Sequence, residues 1–292
     1  MSCTKVTDFG IPYLRGLHEL SYLDLLGCPV TFASLETISG FTSLLQLNLN
    51  RCGLSDVGCQ KLSDLIQLKD LNLGYNRITD ACLINLKGLI NLESLNLEYC
   101  RISSEGLLSI EGLTSLRTLE LSETAVEALS HLSGLHNLEN LNLSCTLVND
   151  NSLAALSTLT SLKSLNLGDL LLTDVGLPFL SSFTNLQSLE ICDGFLDDHY
   201  VDSIKGLTSL NLLNLSFNIG FTDRTLESIS GLTALCLLNL TYNTDITDAG
   251  LRHLTPLKNL RSLYLDFTQV TAGELRRLHR DVLPNLVIFQ PR

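Results

Sequence analysis

The side chains best suited to chemistry are nine cysteines and six histidines, and their spacing matches no familiar reactive site. The sequence has no CxxC pair, HExxH motif, Walker A loop or GxSxG turn. One cluster joins two acids to a histidine, Asp197, Asp198 and His199, a combination that can exchange protons or bind a metal ion. It occupies the place where other parts of the chain carry a Thr-Asp pair, which favours a surface turn. We therefore predict no catalytic residue, no metal site, no cofactor and no enzyme activity.

The cysteines indicate free thiols rather than a disulfide framework. Their number is odd, and the opening MSCTKVTDFG lacks the basic region and apolar segment of a signal peptide. Cys28, Cys52 and Cys100 share a position just after a predicted strand, where a small polar group can bond to the backbone of the neighbouring turn. Cys59 and Cys82 fall in predicted outer helices. We expect a cytoplasmic or nuclear protein with small buried thiols.

Charge and hydropathy narrow the classes of partner. The 19 Lys and Arg residues face 31 Asp and Glu residues, so the net charge is −12, which disfavours nucleic acid and anionic membranes. Hydrophobic residues make up 45% of the chain, too many for a disordered protein, yet no uncharged apolar run is long enough to span a membrane. These properties favour a protein partner with a basic segment.

The elements that position any site come from a repeat built on leucine, which accounts for 71 residues. The pattern LxxLxL occurs eleven times, from Leu20 to Leu260, at spacings of 22 to 25 residues. Residues 4–19 form a partial first repeat and residues 286–292 a degenerate last one. The repeats fill the sequence, so we predict one domain over residues 1–292. Because no strand precedes the partial repeat, we also expect an N-terminally shortened chain.

Each repeat predicts one short strand and one short helix. The alternation in LxxLxL puts its last two leucines on one face of a strand. The leucines that follow are three residues apart, as at Leu83, Leu86 and Leu89, which is helical spacing. An Asp beside Thr or Ser begins many of these helices, where its carboxylate would accept free backbone N–H groups and contribute about 1 kcal/mol. These acids are Asp8, Asp56, Asp80, Asp174, Asp223 and Asp248.

The expected fold is a right-handed α/β solenoid, a horseshoe with a parallel sheet on the concave face and short helices on the convex face. The motif L-x-x-L-x-L-x-x-N/C/T followed by x-I-T-D-x-G-L-x-x-L resembles a leucine-rich repeat of the ribonuclease-inhibitor-like class, over essentially the whole chain. More narrowly, LNLGYNRITDACLINLKGL, LQSLEICDGFLDD and LPNLVIFQPR are similar to plant intracellular leucine-rich-repeat proteins related to the F-box/LRR family.

The resemblance implies a non-enzymatic protein-interaction solenoid. The narrower likeness implies the substrate-recognition part of an SCF-type ubiquitin-ligase adaptor, although this sequence holds no F-box segment. One alternative is an inhibitor or scaffold that binds a basic protein without a ubiquitin role. A receptor ectodomain is a further alternative, disfavoured by the missing signal peptide and the odd cysteine count.

The inner face of the predicted sheet is the candidate binding surface. It comprises the third, fifth and seventh residues of each LxxLxLx, and these 33 positions hold six acids and no base. An acidic wall would attract and orient a basic segment. The predicted contact residues are Asp24, Asn48, Asp70, Asn72, Asn96, Glu98, Glu120, Asn142, Asn166, Glu190, Asn214, Asn239, Tyr264 and Asp266.

The eighth residue of the repeat, at the rim of the sheet, is aromatic in two groups. The first group is Tyr75 and Tyr99, and the second is Phe217, Tyr242 and Phe267. Large aromatic side chains in a row are candidate interface anchors, since such residues dominate binding hot spots. The alternative, which the sequence favours slightly, is that they pack over the turns and cover the leucines beneath. Both roles can hold in part.

Overall fold

The computed structural model describes residues 1–170, 172–173 and 175–288, and it divides into two compact units, Met1–Leu147 and Val148–Arg292. Each unit is a stack of repeats, and each repeat carries one very short strand. The single domain expected from the repeat pattern stays a prediction.

The described residues of the first unit contain six parallel strands in chain order, with equivalent leucines paired, as in Leu23 with Leu47 and Leu47 with Leu71. The strands are β1 (Tyr22–Asp24), β2 (Gln46–Asn48), β3 (Asp70–Asn72), β4 (Ser94–Asn96), β5 (Thr118–Glu120) and β6 (Asn140–Asn142). The α-helices are α1 (Phe32–Ile38), α2 (Asp80–Leu83) and α3 (Ser104–Leu107). Short 3₁₀ helices complete the unit at Ile11–Leu14, Cys59–Asp64, Ile84–Leu86 and Ser130–Leu132.

The second unit repeats this plan over its described residues, again with parallel strands in chain order. Its strands are β7 (Ser164–Asn166), β8 (Ser188–Glu190), β9 (Leu212–Asn214), β10 (Leu237–Asn239), β11 (Ser262–Tyr264) and β12 (Val287–Ile288). The α-helices are α4 (Asp150–Leu153), α5 (Asp223–Ile229) and α6 (Ala272–Asp281). The 3₁₀ helices are Ala154–Thr158, Pro178–Ser182, Tyr200–Ser203 and Gly250–Leu254. Strand β12 begins the degenerate last repeat, whose residues 289–292 lie outside the described part.

The leucines of the motif form a core between the strands and the helices. Leu92, Leu95 and Leu97 are 0% exposed, as are their equivalents in most repeats. No single repeat can bury such a row of apolar side chains alone, so stacking of neighbours supplies the hydrophobic stabilisation. The predicted parallel sheet with short helices and a leucine core, the leucine-rich-repeat solenoid fold, is confirmed.

Polar side chains just after the strands join successive repeats inside the core. The Asn76 amide donates to the carbonyls of Leu49 and Leu73, both at 2.8 Å, and its oxygen accepts the N–H of Leu54 at 2.9 Å. The Cys100 thiol, one repeat later, donates to the same Leu73 carbonyl at 3.2 Å. Burial raises the pKa of Cys100 to about 11, so this thiol stays protonated and unreactive at neutral pH. The structural role predicted for this position is confirmed.

The acids at the helix starts do not cap their own helices, contrary to the prediction from sequence. At Asp80 and Asp223 the N-cap is the preceding threonine, for example Thr79, whose hydroxyl accepts the N–H of Ala81. The acid instead bonds forward: Asp56 accepts the N–H and hydroxyl of Thr79, one repeat later, at 2.7 and 2.8 Å. Equivalent bridges start at Asp8, Asp80, Asp150, Asp198, Asp223 and Asp248. The predicted acid Asp174 lies outside the described residues.

Two cysteines form a disulfide, which corrects the expectation that the thiols are free. Cys59 and Cys82 lie in helical segments of adjacent repeats with their Cα atoms 5.3 Å apart, and their sulfurs are bonded. Both side chains are buried. The pairing went unpredicted because 23 residues separate them whereas these repeats are 24 apart, so the two cysteines are one position out of register.

Candidate protein-binding surface

The residues predicted to bind a partner lie beside the buried leucines on the outward side of the strands, here called the strand face. Most fifth-position residues end a strand, from Asp24 in β1 to Tyr264 in β11. Asp70 begins β3, whereas Glu98 and Asp266 follow β4 and β11 by two residues. The strand-face residues are mostly half-buried rather than fully solvent-exposed. Within each unit, strand pairing sets these residues beside their equivalents in the next repeat, as in Asn48 with Asn72.

The asparagines of the strand face have a structural task. The Asn96 oxygen accepts the N–H of Glu98 at 2.9 Å, which satisfies a backbone donor where the strand turns out of the sheet. At the equivalent positions the side-chain oxygen likewise accepts the backbone N–H of the residue two positions later. These residues are Asp24, Asn48, Asn72, Asn142, Asn166, Asn214 and Asn239. These oxygens are committed to the turn, so a role in binding a partner stays a prediction.

The acids of the first unit share a partly desolvated environment. Burial raises the pKa of Glu120, the Glu98 charge adds to the rise, and a hydrogen bond from Asn142 opposes it. Burial likewise raises the pKa of Asp70, against a hydrogen bond from Ser94. A carboxylate in this state loses hydration without gaining a cation. An approaching positive charge would therefore be stabilised there.

Two bases beside the strand face of the first unit are paired with acids. Lys69 Nζ lies 2.8 Å from Glu93 Oε1, and Arg117 lies 2.5 Å from Glu139 Oε1, at the edge where the strands begin. These exposed pairs contribute little to stability. They nevertheless neutralise the two cations locally, so the strand face of the first unit keeps its negative charge.

The rim residues have a left-handed backbone in repeat after repeat, with φ near +55°. In the first unit, Tyr75 and Tyr99 stack with ring centroids 5.1 Å apart, and the Arg51 guanidinium lies 4.1 Å from the centroid of the Tyr75 ring. The Tyr75 hydroxyl donates to Glu98 Oε1 at 2.9 Å, which ties the rim to the strand face. Tyr99 is 56% exposed.

In the second unit, Phe217, Tyr242 and Phe267 form a continuous stack, with centroids 4.4 and 4.1 Å apart. The rings pack on one another and remain substantially exposed. Covering of the leucines beneath the turns and binding of a partner both stay predictions. Stacked rings fixed by their backbone would lose little side-chain entropy on contact with a partner.

Two acids escaped the prediction because they occupy the rim rather than the strand face. Asp169 and Asp193 are the eighth residues of their repeats and share the left-handed backbone of the aromatic positions. Partial desolvation raises the pKa of Asp193 although its side chain is exposed, and the charge of Asp169 and a hydrogen bond to it add to the rise. On the strand face beside them, Glu190 accepts a hydrogen bond from Asn214 at 3.3 Å. Their spacing from the rim aromatics was the signal that could have revealed them.

The Asp197, Asp198 and His199 cluster forms a turn, as the sequence favoured. Asp197 Oδ1 accepts the N–H of His199 and lies 3.0 Å from its Nδ1. Asp198 faces the next repeat, where it accepts hydrogen bonds from Thr222 and Thr225. The structure therefore gives the two acids separate structural tasks.

Asp56, Cys59 and Cys82 form a group whose atom types could suit a metal ion, with candidate ligand atoms within 4.8 Å of one another. Both sulfurs are engaged in the disulfide, and the Asp56 carboxylate accepts two bonds from Thr79. The group in this state offers no thiolate, so it does not fit a metal site.

Comparisons with known proteins agree with this geometry. A family model described as "Leucine Rich repeat" matches residues 42–63, 67–86 and 88–110. No curated protein matches the sequence significantly. An internalin (inlF) from Listeria monocytogenes is 25% identical in sequence, covers 100% of this chain and 86% of its own, and has a TM-score of 0.74.

Two further structures share the fold. A leucine-rich-repeat protein from Leptospira interrogans is 22% identical over 98% of this chain and 82% of its own, with a TM-score of 0.66. The ectodomain of the plant membrane receptor kinase GASSHO1/SCHENGEN3 from Arabidopsis thaliana, solved with CASPARIAN STRIP INTEGRITY FACTOR 2, is 19% identical over 93% of this chain and 35% of its own, with a TM-score of 0.61.

The repeat geometry and these matches make the chain a leucine-rich-repeat protein. Its fold is one that typically serves as a scaffold for protein interaction. Among the residues that the structure describes, no helix has both the length and the apolar character needed to cross a membrane.

Proposed function

We propose that the chain is a non-enzymatic protein-binding solenoid whose strand face takes a basic segment of a partner protein. The main support is the half-buried acids of the strand face, with the raised pKa values of Glu120 and Asp70. These carboxylates have lost hydration, and Lys69 and Arg117 are paired elsewhere. A cationic segment would restore the missing electrostatic stabilisation and would be steered towards the surface.

The test is equilibrium binding of peptides that differ only in charge. Fluorescence anisotropy would compare labelled basic, neutral and acidic peptides of equal length. The double variant Glu98→Gln/Glu120→Gln removes two charges and keeps an oxygen that can accept the Tyr75 hydroxyl. We expect preferential binding of the basic peptide and weaker binding by the variant, because the negative field is reduced.

A matched control is Glu105→Gln/Glu127→Gln, which removes the same charge from exposed residues on the helical side of the first unit. It should retain most of the affinity. Equal loss in both variants would mean that overall charge, not the strand face, governs binding. Equal affinities for the basic, neutral and acidic peptides would contradict the proposed basic partner.

The narrower proposal is a substrate-recognition role in an SCF-type ubiquitin-ligase adaptor, with a cytoplasmic or nuclear location. The resemblance to plant F-box/LRR-related sequences supports the role, and the seven cysteines that form no disulfide among the described residues support the location. The buried Cys59–Cys82 disulfide counts against a reducing compartment. Co-purification of a cullin adaptor with the protein expressed from its full coding sequence would support the role. Partner binding without that adaptor would favour an inhibitor or scaffold instead.

A further inference from the structure

The rim residues of the second unit change from acidic to aromatic between Asp193 and Phe217. Asp169 and Asp193 are exposed acids, and the next three rim residues are the stacked rings. The φ angles of Asp169, Asp193 and Phe217 are +56°, +54° and +58°, so the three side chains leave equivalent turns in the same way. Strands β8 and β9 pair in register, which sets the two rim residues about 4.8 Å apart along the stack.

One face of the Phe217 ring is covered and the opposite face looks towards the repeat of Asp193. Tyr242 covers the first face, with the ring planes 18° apart, and the Phe217 side chain is still 42% exposed. A flat, delocalised cation is the group that best combines stacking on such a face with pairing to a carboxylate beside it.

The chain already contains a guanidinium in this geometry. In the first unit, Arg51 and Tyr75 are successive rim residues, and the guanidinium of the former stacks on the ring of the latter. Asp193 and Phe217 occupy the corresponding pair of positions in the second unit, with an acid where the arginine stood. The rim can therefore hold a guanidinium over a ring, and here the protein supplies the carboxylate instead of the cation.

Apolar side chains lie beyond this pair on the same edge. Phe195 and Ile219 follow Asp193 and Phe217 by two residues each and are 67% and 69% exposed. Neighbouring exposed apolar side chains of this size mark a contact surface. The methylene stem of a long cationic side chain would pack against them while its head reaches the acids.

We propose that the partner's basic segment places an arginine side chain over the face of Phe217 opposite Tyr242, with its guanidinium paired to Asp193 and its stem against Phe195 and Ile219. The inference rests on the proposed function and adds the residue type that is recognised. Lysine would satisfy the charge but not the stacking, because its ammonium is a compact, strongly hydrated point charge.

The test compares fluorescein-labelled hexa-arginine and hexa-lysine, which carry the same charge, by anisotropy against the full chain. The wild type should bind the arginine peptide about threefold more tightly. Phe217→Leu keeps an apolar side chain without a ring, and it should reduce the ratio to about one. Phe217→Tyr should restore the preference, whereas Asp193→Asn should weaken both peptides. Phe9→Leu, which removes an exposed ring away from the rim, is the matched control and should preserve the ratio.

The outcomes separate the two proposals. A ratio of one in the wild type, or a ratio unchanged by Phe217→Leu, overturns the arginine site. If the arginine site is overturned in this way but Glu98→Gln/Glu120→Gln still weakens the binding of both peptides, the proposed function remains supported. Absence of binding by either peptide would contradict both. Coincident melting curves for wild type and Phe217→Leu would show that a lost preference is not a loss of fold.

Discussion

The carboxylate of Asp198 accepts both the backbone N–H and the hydroxyl of Thr222, 24 residues further along the chain, at 3.0 and 2.7 Å. Related bridges recur between neighbouring repeats on the helical side. Successive repeats are thus joined along two lines, the strand ladder and this row of carboxylates. The second line satisfies the N-cap residue of the next helix, whose own hydroxyl then accepts a helix N–H.

Replacing Asp198 by Asn should destabilise the protein by about 1–3 kcal/mol at pH 7. The amide group would present a donor where Thr222 and Thr225 already donate. Chemical denaturation monitored by circular dichroism would measure the change. Asp202→Asn is the matched control, since Asp202 is exposed and forms a surface ion pair with Lys205. Equal effects of the two changes would contradict the bridging role.

The penalty of Asp198→Asn should disappear in acid. Burial alone would raise the pKa of Asp198, but hydrogen bonds from Thr225 and Thr222 outweigh it and hold the pKa below its usual 3.8. Because the folded pKa is depressed, the ionised form stabilises the fold above the unfolded value, and this stability is lost as the pH falls through the folded value. Melting curves of wild type and variant from pH 7 to pH 2 should converge. A constant gap would mean that ionisation of Asp198 plays no part.

Binding of a basic peptide should weaken on acidification at a higher pH than an ordinary glutamate would cause. The pKa of Glu120 is raised by burial and by Glu98, so protonation begins above the usual range and removes the charge that attracts the peptide. Anisotropy titrations between pH 4 and pH 7 would measure this. Glu120→Gln should show a flatter pH profile, and an unchanged profile would assign the dependence to other groups.

Leu95→Ala should destabilise the protein by about 2–5 kcal/mol, because it leaves a cavity in a layer shared by adjacent repeats. Leu95 is 0% exposed, whereas Leu108 is 45% exposed, so Leu108→Ala provides the same chemical change at the surface. Denaturation midpoints would compare them. Similar midpoints for both variants would contradict the assignment of Leu95 to the core.

Thiol titration of the unreduced, denatured protein should find seven reactive cysteines, and nine after reduction. Reduction should also lower stability by about 2–4 kcal/mol, since the bond closes a loop in the unfolded chain. The double variant Cys59→Ser/Cys82→Ser would be insensitive to reductant. Nine thiols before reduction would show that the pair is open in solution.

The leucine spacing predicted the strands and the core because alternation within three residues decides which side chains face inwards, and repetition multiplies that weak local signal. Contacts between repeats were harder to predict from the sequence. Asp56 was expected to cap a local helix, yet it bonds to Thr79 of the next repeat, and the N-cap of the segment that follows Asp56 is Gly58. The turns formed by Asn96 and its equivalents were not predicted. An asparagine at a strand end gives the same sequence pattern whether its amide bonds to the backbone of its own turn or to a partner.

The left-handed rim position tolerates Arg51, Tyr75, Glu123, Cys145 and Phe267 alike. Non-glycine residues seldom adopt this backbone, so the surrounding turn must impose it whatever the side chain. In most repeats the N–H of the rim residue is fastened to a carbonyl of the next repeat, as between Tyr99 and Ser122 at 2.9 Å. The consequence is that side chains at the rim positions can be exchanged without a change of backbone conformation. Substituting rim residues one at a time would change the order of charged and aromatic side chains presented to a partner, while leaving the leucine core unchanged.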